Sequence, residues 1–322
     1  RIPDAIPLQD VDRILPHLVD EGLPDGGEFL VASMDDNERA AVLVALLIWH
    51  GFLPMAGDIY RETYLLGKIH EERCVLHPGQ THIGKKAKKR AKGFHLTVDK
   101  DWAAVVKHIQ KLTFTKKEGD CWLTDPIVES YQAVASVGSP WSRGGIAFHS
   151  VELWHTQSGE LVAGEIGYTC GSTYSSCTGF CVKDKYSGAG TVQLAALGCW
   201  LSKSGFEIWD LGMKLDYKIE LGGHMIPRSQ WAARIRHLRE RPLKLRPPSG
   251  TEGDAHLLLQ ELGAKGEPGG LEGSDSKKAA VASAPPSDER EAKSDGRDLK
   301  RDRKPIPKEV PVAPSEKKRV EL

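Results

Sequence analysis

The spacing of apolar residues predicts alternating helices and strands over most of this chain. Asp35-Asp36-Asn37 is typical of a helix N-terminus and precedes an apolar helix from Arg39 to His50. We predict strands at 75–77, 95–98 and 206–209, a hairpin of two apolar runs at 147–155 and 161–174, and helices at 99–112, 124–137, 191–203 and from Pro227 onward. The fold class that follows is mixed α/β.

The same pattern divides the chain into three parts. Residues 1–72 carry one clear helix and predict a small N-terminal domain, whereas residues 73–242 alternate strand and helix signals and predict a larger domain. In residues 243–322, Pro and Gly pairs and a mixed-charge run leave too little apolar surface to offset chain entropy. Every Trp, Tyr and Phe lies at or before Trp231. We therefore expect a disordered tail, solvated or docking a partner, with at most an isolated helical turn at Leu257-Leu258-Leu259.

Composition narrows the classes of function. The 322 residues include 44 Lys+Arg and 44 Asp+Glu, so no global field favours nucleic acid, and any basic patch must be local. The longest uncharged stretch, Ala40 to Gly57, is too short in its apolar part for a membrane span. Six scattered Cys are too few for a disulfide scaffold. We expect a cytoplasmic monomer without a membrane partner; because the chain opens with Arg1, an organellar leader stays open.

Two local features could bind anions. The first is a cationic segment at residues 85–92, which is either a solvated helix face or a phosphate-binding surface. Phosphate binding is favoured if a second cationic cluster lies on the same side. That second cluster is Arg234, Arg236, Arg239 and Arg241. The other feature is Gly188-Ala189-Gly190 before a long helix, which is either a plain entry turn or a set of backbone N–H groups facing an anion.

A few residues could carry chemistry. Asp210 ends a buried strand next to Leu211-Gly212, which suits either a catalytic carboxylate or the cap of a turn. His149 and Ser150 alternate on a strand and so face opposite sides, which argues against a nucleophile–base pair. Cys170, Cys177 and Cys181 lack the paired short spacings of zinc sites, and we expect small core residues and no metal.

The order of several short motifs resembles the leucyl/phenylalanyl-tRNA–protein transferase family over about residues 27 to 242. The matching segments are Gly51-Phe52-Leu53-Pro54, Arg73-x-Val75-Leu76-x-Pro78, the basic segment after His82, Thr97-x-Asp99, Cys121-Trp122-Leu123-Thr124, Glu129-Ser130-Tyr131, His149-Ser150-Val151-Glu152 with Trp154, Leu161-Val162-x-Gly164, Gly167, Gly171, Gly205-Phe206, Asp210, Leu221-Gly222 and Ile226-Pro227-Arg228. The resemblance implies a small N-terminal domain and a C-terminal domain with the fold of GCN5-type acetyltransferases.

The resemblance also implies an activity. Such enzymes move Leu or Phe from aminoacyl-tRNA to a protein N-terminus, which marks the protein for degradation by the N-degron pathway, and they use no cofactor besides the aminoacyl-tRNA. By the same resemblance, Asp210 assists the attacking amine and Trp122 receives the terminal adenosine. The phosphates of tRNA fall to Lys85, Lys86, Lys88, Lys89 and Arg90, and the candidates for the amino-acid pocket are Phe180, Leu194, Leu197 and Ile208.

The sequence departs from the family pattern at polar positions. Gly212 stands where the family has a Gln that acts with the Asp, and Cys177 stands where it has a Glu. Glu165, at a position that is usually Gly, is a candidate for a replacement catalytic carboxylate. Two other functions therefore stay open: an acyl-CoA-dependent N-acetyltransferase that binds pyrophosphate at Gly188-Ala189-Gly190, and a non-catalytic binder of tRNA or protein N-termini.

Overall fold

A computed structural model of the chain describes residues 7–23, 27–59, 61–114 and 122–265, and these residues form two β-sheets. The small sheet is antiparallel, with the strand order β1-β3-β2. Its strands are β1 (Glu28–Ser33), β2 (Leu53–Ile59) and β3 (Glu62–Lys68), and the helices of this region are α1 (Val11–Glu21) and α2 (Asn37–Trp49). Helix α2 confirms the predicted helix, and the Asp36 carboxylate caps it by accepting from Arg39 N at 3.0 Å. The small sheet and α1 were not predicted.

The large sheet has seven strands in the order β10-β4-β9-β8-β7-β6-β5. The strands are β4 (Glu72–Leu76), β5 (Phe94–Val98), β6 (Ala147–His155), β7 (Leu161–Cys170), β8 (Thr173–Cys181), β9 (Ile208–Gly212) and β10 (His224–Pro227). The helices are α3 (Lys85–Arg90), α4 (Trp102–Phe114), α5 (Asp125–Ala133), α6 (Ala189–Lys203), α7 (Asp216–Glu220), α8 (Arg228–Leu238) and α9 (Ala255–Lys265). The predicted mixed α/β class is confirmed.

One predicted strand is in fact two. The apolar run at 161–174 folds back at Gly171, whose φ of 59° is a left-handed conformation that favours glycine. A Cβ at this position would lie 2.1 Å from the Leu238 carbonyl oxygen, so the close approach of helix α8 also requires a glycine here. The run therefore forms β7 and β8, paired antiparallel from Ala163–Cys181 to Cys170–Thr173.

The pairing of β8 with β9 is the feature that positions the candidate site. It is the one parallel pair among the described strands, and it runs only from Thr173–Ile208 to Ser175–Asp210. Beyond it, β8 continues along β7, while β9 continues along β4 to the Cys74–Gly212 pair. The two strands therefore separate, and we call the opening between residues 176–179 of β8 and residues 211–212 of β9 the splay.

Each face of the large sheet is covered by its own hydrophobic core. On one face, Val75, Ile166 and Ile208 pack with residues of α2, α5 and α8, including Trp231. On the other, Cys74, Tyr174 and Trp209 pack with α6 and with residues of α3 and α9. We call these the α8 face and the α6 face. Side chains of one strand alternate between them, which decides where each polar residue of the site lies.

The prediction of a disordered tail from residue 243 onward is wrong for residues 243–265, which the structure describes. Helix α9 folds over the α6 face, where Leu258 and Leu259 are buried in the core, and its approach is fixed by a bridge between His95 and Asp254. The sequence did not reveal this helix because its apolar residues are few and follow a Pro- and Gly-rich linker. The remainder of the predicted tail, residues 266–322, lies outside the described residues.

The predicted division near residue 72 stays a prediction. The two sheets divide between Lys68 and Glu72, yet residues 1–269 form one compact unit. In the described residues, no helix is both long and apolar enough to cross a bilayer.

Candidate active site

Asp210 lies at the last position of β9 that pairs with β8, where the splay begins, and is 1% exposed. Its Oδ1 accepts from Arg73 Nε at 3.2 Å and from the backbone N–H of Gly212 at 2.9 Å. Its Oδ2 accepts from Arg73 Nη2 and from Ser175 Oγ, the latter at 3.2 Å. The carboxylate is thus held by a two-pronged ion pair and two further donors, which fix its orientation.

Arg73 is buried with its partner on the α8 face. Its guanidinium lies 5.1 Å from the ring centroid of Trp231, a cation–π arrangement. Burial lowers the pKa of Arg73, but the Asp210 carboxylate outweighs this effect and raises the pKa above its usual value. Tyr168 lies near the pair, and its pKa is raised, chiefly by burial. Arg73 therefore stays charged and carries the counter-charge of Asp210.

Glu165 is a second buried carboxylate, on β7, with 4% of its surface exposed. Its Oε1 accepts from Ser176 Oγ at 2.6 Å and from Tyr174 Oη at 3.1 Å. Its Oε2 accepts from Gln193 Nε2 of α6 at 3.3 Å. Burial raises the pKa of Glu165 above its usual value. Its partners are therefore neutral hydrogen-bond donors, unlike those of Asp210.

The structure does not bring Glu165 and Asp210 together on one face. Asp210 lies on the α8 face with Arg73 and Trp231, whereas Glu165 contacts Tyr174 and Gln193 on the α6 face. Both carboxylates nevertheless interact electrostatically with Cys177, a residue of the splay. The pKa of the Cys177 thiol is raised well above its usual value, first by burial and then by Glu165 and Asp210.

The splay is bordered by a buried lysine and an apolar rim. Lys218 of α7 donates to the carbonyl oxygens of Leu211 and, at 3.1 Å, of Met213, so its ammonium caps the backbone carbonyl groups at the end of β9. Burial lowers the pKa of Lys218. The rim consists of four exposed apolar side chains in the segment after β9, namely Met213, Leu215, Tyr217 and Ile219. Such a rim exposes apolar surface beside the polar groups of the site.

The glycine at the end of β9 leaves room where the family pattern has a Gln. Gly212 has a φ of 74°, and a Cβ built there would meet no atom within 4 Å. The space next to Asp210 is therefore open, and Glu165, the candidate for a replacement carboxylate, lies on the other face of the sheet.

The four residues predicted for an amino-acid pocket lie in two places. Phe180 and Ile208 pack in the core of the α8 face, where Phe180 stacks on His108 with ring centroids 4.5 Å apart. Leu194 and Leu197 are on α6, against the core of the other face. The structure therefore does not gather the four side chains around one cavity.

The predicted cationic segment forms the helix α3 on the α6 face. Lys85, Lys86, Lys89 and Arg90 are exposed and Lys88 is half-buried. No ion pair joins any of these five to another residue in the part of the chain that the structure describes. The Arg90 guanidinium reaches the start of α6, where a Cβ at Gly188 would lie 2.4 Å from its Nη1.

The second predicted cluster is largely neutralised. Arg236 pairs with Asp20 at 2.7 Å, Arg241 with Glu207 at 3.0 Å, and Arg239 lies over Trp49 and donates to its carbonyl oxygen. Arg234 borders a cleft of about 230 Å³ beside His77 and His224. This cluster lies on α8 and in the residues just after it, on the opposite face from α3, and so does not extend the basic patch of α3.

Trp122 is half-buried beside β2 on the α8 face, and its carbonyl oxygen accepts from Ala56 N at 3.4 Å. Its neighbour Cys121 lies outside the described residues. The His149–Ser150 prediction is confirmed: Ser150 Oγ donates to Glu152 at 2.6 Å, while His149 Nδ1 lies 2.8 Å from an Asp99 carboxylate oxygen. Cys170, Cys177 and Cys181 are free thiols.

Sequence reasoning missed the partners of both carboxylates. Arg73 belongs to a motif of the family resemblance, but the motif does not identify it as the counter-ion of Asp210, and no local pattern singles out Gln193. The available signal was the run of hydroxyl side chains from Ser172 to Ser176, since such a run in a buried strand requires hydrogen-bond partners.

Comparison with known proteins places the chain among relatives. The family model for leucyl/phenylalanyl-tRNA protein transferase matches residues 75–236. The transferase of that name from Azotobacter vinelandii is 30% identical over 213 residues, which are 60% of this chain and 87% of the relative. That from Pseudomonas fluorescens is 31% identical over 175 residues (53% and 70%), and that from Cupriavidus metallidurans 30% over 174 residues (52% and 64%). The matched region runs from the end of β4 into α8 and includes the splay, Asp210 and Glu165. The chain belongs to the leucyl/phenylalanyl-tRNA protein transferase family.

Proposed function

We propose that this protein transfers an apolar amino acid, Leu or Phe, from aminoacyl-tRNA to the N-terminal amine of a protein. The observation that carries the proposal is the position of Asp210, fixed by Arg73 and Ser175 where the splay begins. A parallel pair that separates inside an otherwise antiparallel sheet also supports a GCN5-type acetyltransferase fold for this region.

The chemistry requires little beyond orientation and one proton transfer. The N-terminal amine attacks the ester carbonyl, the bond to the ribose oxygen breaks, and the amine proton ends on that oxygen. In the proposed site, Asp210 orients the amine and assists removal of its proton, while Arg73 keeps the carboxylate in place. The ester is already activated, so positioning of the two reactants supplies much of the acceleration.

We assign the tRNA to two surfaces. The cations of α3, Lys85, Lys86, Lys88, Lys89 and Arg90, contact the phosphates. The position of Arg90 against Gly188 supports this, because it brings the end of α3 to the start of α6, the helix whose Gln193 donates to Glu165. Trp122 offers its ring to the terminal adenosine, a stacking contact that tolerates any base.

The amino-acid pocket is assigned more narrowly than the sequence suggested. Leu194 is half-buried on α6, whereas the other three candidates are buried, so it is the member of the predicted set whose surface is still partly accessible to an amino-acid side chain. Leu197 lies one turn farther along and is fully buried. Leu and Phe differ by only about 1–3 kcal/mol in a purely apolar pocket, which is consistent with acceptance of both.

The experiment is transfer of radiolabelled Leu and Phe from charged tRNA to a peptide that begins with Arg or Lys. We expect label in the peptide and none in the same peptide with an acetylated N-terminus. Absence of label from the free peptide, while the tRNA still binds, would contradict the proposal. A melting-temperature shift with saturating acetyl-CoA would instead favour acyl-CoA as the donor, and we expect no such shift.

A further inference from the structure

Glu165 is a buried carboxylate without a counter-charge. Its three partners, Ser176, Tyr174 and Gln193, are neutral donors. No Lys, Arg or His nitrogen forms an ion pair with it within the described ranges. Asp210, at nearly the same burial, has the guanidinium of Arg73. A buried carboxylate that is ionised and unpaired is costly, so the site favours the arrival of a cation.

The carboxylate also has an unused acceptor position. A carboxylate offers about four lone-pair positions, two on each oxygen. Oε1 of Glu165 uses two of them, for Ser176 and Tyr174, whereas among the described residues Oε2 has only the long 3.3 Å contact from Gln193. The nearby ammonium of Lys218 donates to the Leu211 and Met213 carbonyl oxygens instead. A further donor of positive charge therefore has an oxygen to bind.

Glu165 is held at the edge of the splay. Ser176, which donates to it, is the first residue of β8 beyond the last pair with β9, and its hydroxyl also accepts from Trp209 Nε1 at 2.9 Å. Glu165 also acts on Tyr217 of the exposed rim: the pKa of Tyr217 is raised mainly by burial and additionally by the Glu165 carboxylate. A ligand seated in the splay would lie beside this carboxylate.

We propose that Glu165 binds the α-ammonium group of the aminoacyl moiety carried by the tRNA, with Ser176, Tyr174 and Gln193 as positioning residues. This inference rests on the proposed function. The α-ammonium is the one formal cation of an aminoacyl ester, and it takes no part in bond making or breaking. Holding it fixes the ester carbonyl relative to Asp210 across the sheet and rejects tRNA whose amino acid lacks a free amine.

The test compares two donors that differ only at the α-position. Phenylalanyl-tRNA carries the α-ammonium, and phenyllactyl-tRNA carries a hydroxyl there, while both esters can acylate the acceptor peptide. In single-turnover transfer we expect the wild type to prefer phenylalanyl-tRNA by about 10- to 100-fold, the range for one hydrogen bond to a charged group. In Glu165→Gln the preference should fall to within about threefold.

The controls separate this inference from the proposed function. Glu220→Gln removes an exposed carboxylate of α7 and should keep the wild-type preference. If Glu165→Gln transfers both amino acids and still prefers phenylalanyl-tRNA as strongly as the wild type, the inference is overturned and the transferase function stands. If the wild type transfers from neither donor, both are overturned.

Two further readouts apply if Glu165→Gln does not fold. The wild type alone must discriminate between the two donors, and equal rates would overturn the inference without any variant. Ser176→Ala removes the shortest hydrogen bond to the carboxylate, at 2.6 Å. This variant should show an intermediate preference through a higher KM for phenylalanyl-tRNA, whereas an unchanged preference and KM would also overturn it.

Discussion

At the scale of single residues, the site rests on two carboxylates with contrasting surroundings. Asp210 is neutralised by Arg73, and Glu165 is surrounded by neutral donors. A buried ion pair contributes little over an apolar pair of equal volume, but removal of one partner leaves the other charge uncompensated. Arg73 and Asp210 therefore depend on each other, because either one alone would be a buried, uncompensated charge. What the pair provides to the site is a carboxylate of fixed orientation.

We predict that Arg73→Met lowers the free energy of unfolding by about 3–5 kcal/mol, because Asp210 is then left buried and unpaired. Urea unfolding measures this value. Arg241→Met is the matched control, since Arg241 pairs with Glu207 at the surface, and it should cost less than about 1 kcal/mol. The double variant Arg73→Met with Asp210→Leu should recover a large part of the loss. Equal, small effects of both single variants would show that the buried pair is not the constraint we describe.

Asp210 illustrates how far single residues could be predicted. Its place at the end of a buried strand followed from the apolar run before it, but its partner is 137 residues away in sequence. Strand pairing between β4 and β9 creates that contact, and no local pattern encodes it. Glu165 stands at a position that is usually Gly in the family pattern, but its location on the α6 face is known only once the order and pairing of the strands are known.

At the scale of secondary-structure elements, the long-range packing of short segments decided where prediction failed. Helix α2 and strand β6 have clear periodicity and lie where the sequence placed them. Gly171 divided one apolar run into two strands because the following turn meets helix α8. Helix α9 is stabilised by the core of α6 and β5 and not by its own propensity, so its sequence resembled a tail.

Helix α9 offers a direct test of this packing. Leu259→Ala, at a fully buried position, should lower the free energy of unfolding by about 2–5 kcal/mol through loss of apolar contact and the cavity that remains. Leu257→Ala on the same helix is the control, because Leu257 is 43% exposed and should lose well under 1 kcal/mol. Indistinguishable melting curves for the two variants would contradict the position of α9 in the core.

Helix α3 is predicted to bind tRNA through charge alone. Replacing Lys85, Lys86, Lys88 and Lys89 by Ala should weaken tRNA binding and reduce the slope of log K against log salt by up to about 3. Replacing Arg236 and Arg241 is the control, since both are already paired with acidic residues, and the slope should change by less than about 1. If the α3 variant has the same slope as the wild type, the tRNA phosphates bind another surface of the protein.

At the scale of the whole molecule, the fold class and the family could be predicted from the sequence. Which site residues lie on which face of the large sheet could not. The family was indicated by several short motifs that follow one another in a fixed order along the chain. The distribution of Phe180, Leu194, Leu197 and Ile208 over two faces follows from the strand order, which the sequence does not contain. The central claim is therefore that the splay between β8 and β9, with Asp210 at its origin, is where transfer occurs.

The most direct test is the single-turnover rate of Leu transfer by Asp210→Asn with enzyme in excess over charged tRNA. We predict a rate about 10²- to 10⁴-fold below the wild type, the contribution of a proton-transfer group, with an unchanged Kd for tRNA. Asp216→Asn, an exposed carboxylate of α7, is the matched control, and circular dichroism confirms that each variant is folded. A folded Asp210→Asn protein that transfers Leu at the wild-type rate would contradict the account.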